Sequence, residues 1–200
     1  MVQALDLSTG AAVLDVACGT GDVMLEVMRR KPGTRVYGID FSKKMLQIAA
    51  TKTGAAGMGS HAALIAADAL HPPFPPRCMD AVTIAFGIRN IHDRDRALEN
   101  FRQILKPGGL LAVLELNTPA GRFLKSLYLL YFQKILPGIG GFFSKNAGAY
   151  QYLPASVLNF PQPAAFAVQM RKAGFEDIAW KPLSAGIATL YIGRCAADAA

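Results

Sequence analysis

Asp15-Val16-Ala17-Cys18-Gly19-Thr20-Gly21-Asp22 is a glycine-rich turn that follows directly on the apolar run Ala12 to Ala17 and leads into a helix carrying Met24, Val27 and Met28. A strand, a tight glycine turn and a helix in that order form a nucleotide-cofactor position. A dinucleotide-binding turn would carry a third glycine three residues after Gly21, where a pyrophosphate and close helix packing need it, and Met24 stands there instead. Acids flank the glycines: Asp15 precedes them, and Asp22 occupies the helix start, where it would repel a pyrophosphate. The turn therefore suits a cofactor that carries positive charge and no phosphate. Gly19 and Gly21 let backbone approach such a ligand closely, since a Cβ would occupy the same space. Asp15 can attract its ammonium group, directly or through water.

Outward from this turn, short apolar runs rich in β-branched residues alternate with amphipathic stretches. RVYGID from Arg35, AALIAAD from Ala62, DAVTIAF from Asp80 and LLAVLEL from Leu110 join the first run as candidate strands. This is the pattern of a parallel sheet covered by helices on both faces. EDIAWKP from Glu176 and IATLYIGR from Ile187 follow with only Leu183 to Gly186 between them, too short a link for a helical crossover. The last strand is therefore expected to run antiparallel. Ser42 is placed to cap a helix carrying Met45, Leu46 and Ala49, and Asp93 precedes one with Leu98, Phe101 and Leu105 on one face, stopped by Lys106-Pro107-Gly108-Gly109. Pro163 suits a first helical position and Gly174 the end of the helix it opens. Gly54 to Ser60 reads as a loop. The fold class is α/β: one Rossmann-like domain over residues 1–200, with seven strands, six parallel and the last antiparallel.

The second candidate strand ends in Asp40, about 20 residues beyond the glycine turn, where an acid accepts hydrogen bonds from ribose hydroxyls. The third ends in Asp68-Ala69, where a carboxylate can accept from an adenine amino group and a backbone amide can face a ring nitrogen. Taken alone, either acid could be a turn or helix cap. Acids at the carboxyl ends of three successive strands, on the edge where open α/β sheets bind ligands, point together to an adenosyl cofactor.

Composition bounds the alternatives. Two hundred residues with 52% hydrophobic content suffice for one core, and a net charge of +7 attracts a polyanion, either nucleic acid or an acidic membrane face. Cys18, Cys78 and Cys195 are scattered, as are His61, His71 and His92, so neither a disulfide framework nor a metal site is expected. Met1 to Gly10 lacks the basic cluster and apolar run of a targeting segment; a cytoplasmic protein is the expectation.

The DVACGTGD turn, the GID acid, the AADA turn and the LKPGGLLAVLEL block resemble the motifs of class I S-adenosylmethionine methyltransferases, from about Val13 to Leu116. The AFGIRN segment, Ala85 to Asn90, lacks the Asn/Asp-Pro-Pro-aromatic clamp of amine methyltransferases. With no run of basic residues interleaved with aromatics, a nucleic-acid partner is not expected. FGIRN and the Asp93 to Arg96 helix start, PGIGGFFSKNAGAYQYLPASVLNFP, AGFED at Ala173 and LSAGIATLYIG at Leu183 resemble the quinone-biosynthesis C-methyltransferases of the UbiE/MenG family, so that the likeness runs over nearly all of the chain. It implies S-adenosylmethionine as cofactor, S-adenosylhomocysteine as product, and contacts to the cofactor from Gly19, Thr20, Asp40, Asp68 and Ala69. Ala85 stands in the same wall where many members carry Ser, so a hydrogen bond expected there is lost or replaced. The family also carries tens of residues ahead of the first strand, where this chain has Met1 to Ala11; either a truncated form or weakened activity is the corresponding expectation.

The implied acceptor is an isoprenoid quinol, either demethylmenaquinol or the benzoquinol of the ubiquinone pathway. The alternatives are a soluble small-molecule acceptor and a cofactor-binding subunit without catalysis. Arg122 to Phe143 falls short of a membrane span, but Leu124, Leu127, Tyr128, Tyr131, Phe132 and Ile135 form a broad apolar face with lysines beside it. A helical cap over residues 122–160 is therefore expected, touching an anionic membrane, packing on the sheet, or lining an acceptor tunnel. Arg89 and Asn90, just beyond the fourth strand, are the candidate catalytic residues; the alternative for Arg89 is a surface ion pair with Asp93 or Asp95.

Overall fold

A computed structural model describes residues 1–118 and 156–197. The apolar runs become strands β1 (Ala12–Val16), β2 (Arg35–Asp40), β3 (Ala62–Ala66), β4 (Met79–Ala85), β5 (Leu105–Leu116), β6 (Phe175–Leu183) and β7 (Ala188–Cys195). They form one sheet in the order β3-β2-β1-β4-β5-β7-β6. The pairs β1–β2, β2–β3, β1–β4 and β4–β5 are parallel, and β7 runs antiparallel to both β5 and β6. Six strands thus share one direction and the last opposes them, as the short Leu183 to Gly186 link requires. The chain moves outward one way from β1 through β2 to β3, then returns to β4 on the other side. That reversal opens a crevice at the carboxyl ends of β1 and β4.

Helices α1 (Asp22–Arg30), α2 (Lys43–Ala55), α3 (Arg94–Ile104) and α4 (Pro163–Lys172) cover the sheet. Gly21 adopts φ 80 ahead of α1, which buries Met24, Val27 and Met28 and carries Asp22 in its first turn and Arg29 and Arg30 in its last, matching the helix dipole. Ser42 Oγ accepts from the Met45 amide, and Asp93 Oδ1 accepts from the Arg96 amide at 3.0 Å, so both expected caps form. One core layer joins Leu98, Phe101, Phe166, Met170, Phe175 and Tyr191; the other joins Val13, Met24, Val27, Val36 and Ala112 with Val2 and Leu5. Each large buried side chain contributes about 1.5–3 kcal/mol, so both faces of the sheet are held firmly beneath the crevice.

Four local expectations are corrected. Gly54 lies inside α2, whose alanine-rich end continues to Ala55 before Gly57 (φ 69) breaks it, because good helix formers offset the cost of about 1 kcal/mol for one glycine. Met45 is not on the buried face but 43% exposed. Leu105 leaves α3 and opens β5 in an extended conformation, because Pro107 disfavours helix just before it. β3 stops at Ala66, so Asp68 and Ala69 sit in the turn beyond; Asp68 Oδ1 accepts the Leu70 amide at 2.9 Å and holds that turn in place of sheet pairing. Of the cap expected over residues 122–160, residues 122–155 lie outside the described residues, while Val157 and Phe160 are buried.

Candidate active site

A cavity of about 580 Å³ occupies the crevice, within the range of small-ligand sites. Gly19 and Ala17 reach it from the turn after β1, Asp40, Phe41, Ser42 and Met45 from the end of β2 and the start of α2, and Ala67 to Leu70 from the turn after β3. Ala85, Phe86, Gly87, Asn90, Ile91 and His92 close it from the end of β4. Ala17 (φ 51) and Phe86 (φ 56) hold left-handed conformations that cost a non-glycine residue about 1–2 kcal/mol. Sheet-like hydrogen bonds impose them: the Cys18 amide donates to Ile39 O at 3.0 Å, and the Phe86 amide to Leu114 O at 2.7 Å. A Cβ on Gly87 would lie 2.8 Å from Ala17 Cβ, so the turns after β1 and β4 meet only because glycine stands there.

The structure gathers Gly19, Asp40, Asp68, Ala69, Ala85 and Asn90 in the cavity wall, and leaves Asp15, Thr20, Gly21 and Arg89 out of it. Asp40 Oδ2 accepts the Gly19 amide at 3.0 Å and Oδ1 the Ser42 amide at 2.8 Å, leaving each oxygen one further lone pair. A Cβ on Gly19 (φ 54) would project into open space, whereas one on Gly21 would press against Ala49 Cβ at 3.0 Å, so Gly21 serves the packing of α1 on α2. Thr20 Oγ1 donates to Asp22 Oδ2 at 2.7 Å; the Lys52 ammonium, with Thr20, holds the Asp22 carboxyl below the usual carboxylate range.

Asp15 is buried beneath the turn. Thr83 Oγ1 donates to its Oδ1 at 2.7 Å, and Oδ2 has no partner among the described residues. Burial pushes the Asp15 carboxyl up to about 7; the Thr83 hydrogen bond opposes that and the Asp40 charge adds to it.

Arg89 occupies the turn Ile88–Asn90 and faces inward. Its Nη1 lies 2.6 Å from Glu115 Oε1 and donates to Phe86 O at 2.5 Å, with the Arg89 side chain 10% exposed and that of Glu115 wholly buried. The surface pairing with Asp93 or Asp95 is replaced by this internal one.

The profile of the ubiE/COQ5 methyltransferase family matches residues 2–195. The chain belongs to that family. It is 44% identical over 96% of its length to the ubiquinone/menaquinone biosynthesis C-methyltransferase UbiE of Geobacter sulfurreducens, covering 75% of that protein. It is equally 44% identical over 96% of its length to the demethylmenaquinone methyltransferase of Thermus thermophilus, covering 87% of it. Haemonchus contortus phosphoethanolamine N-methyltransferase 2, solved in complex with S-adenosyl-L-methionine, shares the fold: TM-score 0.71 at 16% identity, over 95% of this chain and 50% of that one.

The site of this family member fits an adenosyl sulfonium on its own chemistry. Asp15 Oδ2, a buried carboxylate oxygen without a partner among the described residues, lies beneath the turn and suits a bridging water to a cationic group. The wall offers acids and apolar surface, with no Lys or Arg among its lining residues to hold a phosphate. Sequence reading missed Phe41, Phe86 and His92 in the wall, Thr83 behind Asp15, and Glu115 behind Arg89. Glu115 had left a trace, as an acid within the apolar run LLAVLEL.

Proposed function

We propose that this protein transfers the methyl group of S-adenosylmethionine to a ring carbon of an isoprenoid quinol, demethylmenaquinol or the benzoquinol of the ubiquinone pathway. The observation that carries this reading is the 44% identity, sustained over 96% of the chain, with proteins named for that activity. The mostly apolar cavity with Asn90 in its wall supports it.

When bound, S-adenosylmethionine supplies an electrophilic methyl group on a sulfonium. The chain's own residues bind and orient. Asp40 would use its remaining lone pairs for ribose hydroxyls, Gly19 would let backbone approach the ligand, Asp68 and the Ala69 amide would meet the adenine edge and Ala85 would add apolar wall, while Asp15, Thr20 and Gly21, outside the wall, would support the turn, Asp15 reaching the ammonium only through water. Of the two candidate catalytic residues, Asn90 lies in the cavity wall and would act at the acceptor, while Arg89 is turned inward to Glu115 and holds the turn that carries Asn90. A ring carbon becomes nucleophilic when the adjacent hydroxyl loses its proton. Asn90 would hold that hydroxyl or a water that takes its proton, and Arg89, which stays protonated and faces Glu115, would act only through the turn that it holds. Bringing both reactants together in line supplies most of the acceleration. No described helix is long and apolar enough to cross a membrane; the protein meets its lipophilic acceptor from the membrane surface, aided by its net charge of +7.

Calorimetry with S-adenosylmethionine, together with methyl transfer to a short-chain demethylmenaquinol, tests the reading. Binding and turnover on the quinol are expected. Binding without turnover on any acceptor would make the protein a non-catalytic subunit, and turnover restricted to soluble acceptors would make it a different enzyme.

A further inference from the structure

The two ends of the cavity differ in chemistry. At the end formed by β2 and the turn after β3 stand the carboxylates of Asp40 and Asp68, and both are engaged. Asp40 accepts the Gly19 and Ser42 amides at 3.0 and 2.8 Å, and Asp68 Oδ1 accepts the Leu70 amide at 2.9 Å. At the end that follows β4, the wall is apolar except for Asn90 and His92, and His92 is the one ionisable residue there among the described residues. His92 is exposed and lines a second hollow as well, of about 330 Å³, shared with Asp93, Arg94, Asp95 and Gln169. It therefore stands in the partition between the cavity and a space between the starts of α3 and the body of α4. Arg94 Nε and Gln169 Oε1, from residues that line the outer hollow, are buried without a partner among the described residues. A donor and an acceptor so placed suit bridging water.

Methyl transfer to a quinol ring releases one proton, and the acceptor hydroxyl has to give its own up first. The carboxamide of Asn90 does not take up a proton near neutral pH, and the guanidinium of Arg89 is turned to Glu115 and does not give one up. Imidazole is the side chain suited to exchange protons in that range. We propose that His92 is the proton acceptor for the quinol hydroxyl, taking the proton directly or through the water held by Asn90 and passing it to water in the outer hollow. This rests on the proposed function given above. The hydroxyl proton moves to His92 while the adjacent ring carbon forms its bond to the methyl group, and the carbon–sulfur bond breaks with its electron pair going to sulfur. The hydrogen of that ring carbon then passes as a proton, through water, to the ring oxygen, which restores the hydroxyl and the aromatic ring. One proton is left on His92 and leaves to solvent. Among the described residues, the charged groups that face His92 are Asp93, Arg94 and Asp95 from its own segment, and Asp40 and Asp68 across the cavity, while α4 presents the neutral Gln169.

The test compares His92→Gln and His92→Ala with the unaltered protein, measuring kcat and KM for a short-chain demethylmenaquinol against pH. Saturating S-adenosylmethionine keeps the effect of Asp15 on cofactor affinity out of the profile. The unaltered protein is expected to show a limb that rises between about pH 5 and 8. His92→Gln is expected to lose that limb and to have its plateau kcat lowered by on the order of a hundredfold. KM, melting temperature and cofactor affinity should change little, because His92 is exposed. Imidazole added to His92→Ala is expected to recover part of the lost rate in proportion to its free base. Proton NMR without the cofactor gives a readout that needs no turnover: of the three histidine C2 resonances, the one missing from the His92→Gln spectrum should shift when the quinol is added under reducing conditions. Wild-type kcat and an intact limb in His92→Gln overturn the proposal, and so does a His92 resonance indifferent to the quinol. A loss of rate that imidazole does not rescue, with the limb retained, overturns it too and leaves His92 a wall residue. No turnover of the quinol by the unaltered protein refutes the proposed function and this inference with it. Turnover by the unaltered protein and His92→Gln alike refutes this inference alone.

Discussion

Asp40 Oδ2 accepts the amide of Gly19 at 3.0 Å, so the end of β2 holds the glycine turn that follows β1. The second oxygen accepts the Ser42 amide at the cap of α2. One carboxylate thus joins the turn after β1 to the start of α2, and it lines the cavity beside them. The acid is a loop clamp, and under the proposed function it would also accept from the ligand.

Replacing Asp40 by Ala removes both functions and leaves ribose hydroxyls without their partner, at a cost of about 1–3 kcal/mol in S-adenosylmethionine binding. Calorimetry on the folded variant checks this. Unchanged affinity would mean that the ribose is held elsewhere.

Asp15 sets a pH dependence. Its folded pKa is raised to about 7 from an ordinary 3.8 by burial. The folded state therefore holds a proton that the unfolded chain has released between those values, and stability falls as pH rises through that window, with the loss complete above about 7. Three units correspond to roughly 4 kcal/mol. Asp15→Asn relieves this cost, so its melting temperature should gain on that of the unaltered protein from pH 5 to pH 7 and hold the advantage at pH 8. Cofactor affinity should behave oppositely: in the unaltered protein it rises as Asp15 ionises and meets the ammonium, and in Asp15→Asn that rise is absent. Thermal melts and titrations at matched pH decide it; a difference in melting temperature that does not vary with pH would show that Asp15 is ionised in the folded protein throughout.

The basic, apolar stretch Arg122 to Phe143 and the net charge of +7 lead to a third expectation. Binding to vesicles containing anionic lipid should exceed binding to neutral ones and decline as salt is raised. Sedimentation showing equally negligible binding to both kinds would remove the membrane surface from the account.

The sheet was legible in the sequence because most of its strands are largely apolar runs separated by amphipathic stretches, and the direction of β7 followed from a link too short for a helix. The acids at the strand ends were legible for the same reason: Asp40 and Asp68 stand where the hydrophobic pattern stops. The helix limits were less so. Gly54 and Leu105 were each decided by neighbours, the helical turn with buried Thr53 and a proline, against their own local signals. The partners of the site residues were the least legible, since Thr83 for Asp15 and Glu115 for Arg89 come from strands 68 and 26 residues away, and only sheet register brings them together. Local spacing suggested Asp93 or Asp95 for Arg89, and the buried carboxylate on β5 prevailed because it offers a desolvated, doubly hydrogen-bonded partner.

The central claim, methylation of an isoprenoid quinol ring, is tested most directly by mass spectrometry of the quinones extracted from cells lacking this protein. The account predicts loss of the methylated quinone and accumulation of its demethylated precursor, lighter by one methylene, with the profile restored by the unaltered gene. An unchanged quinone profile in such cells, with no second methyltransferase of this family present, would contradict it.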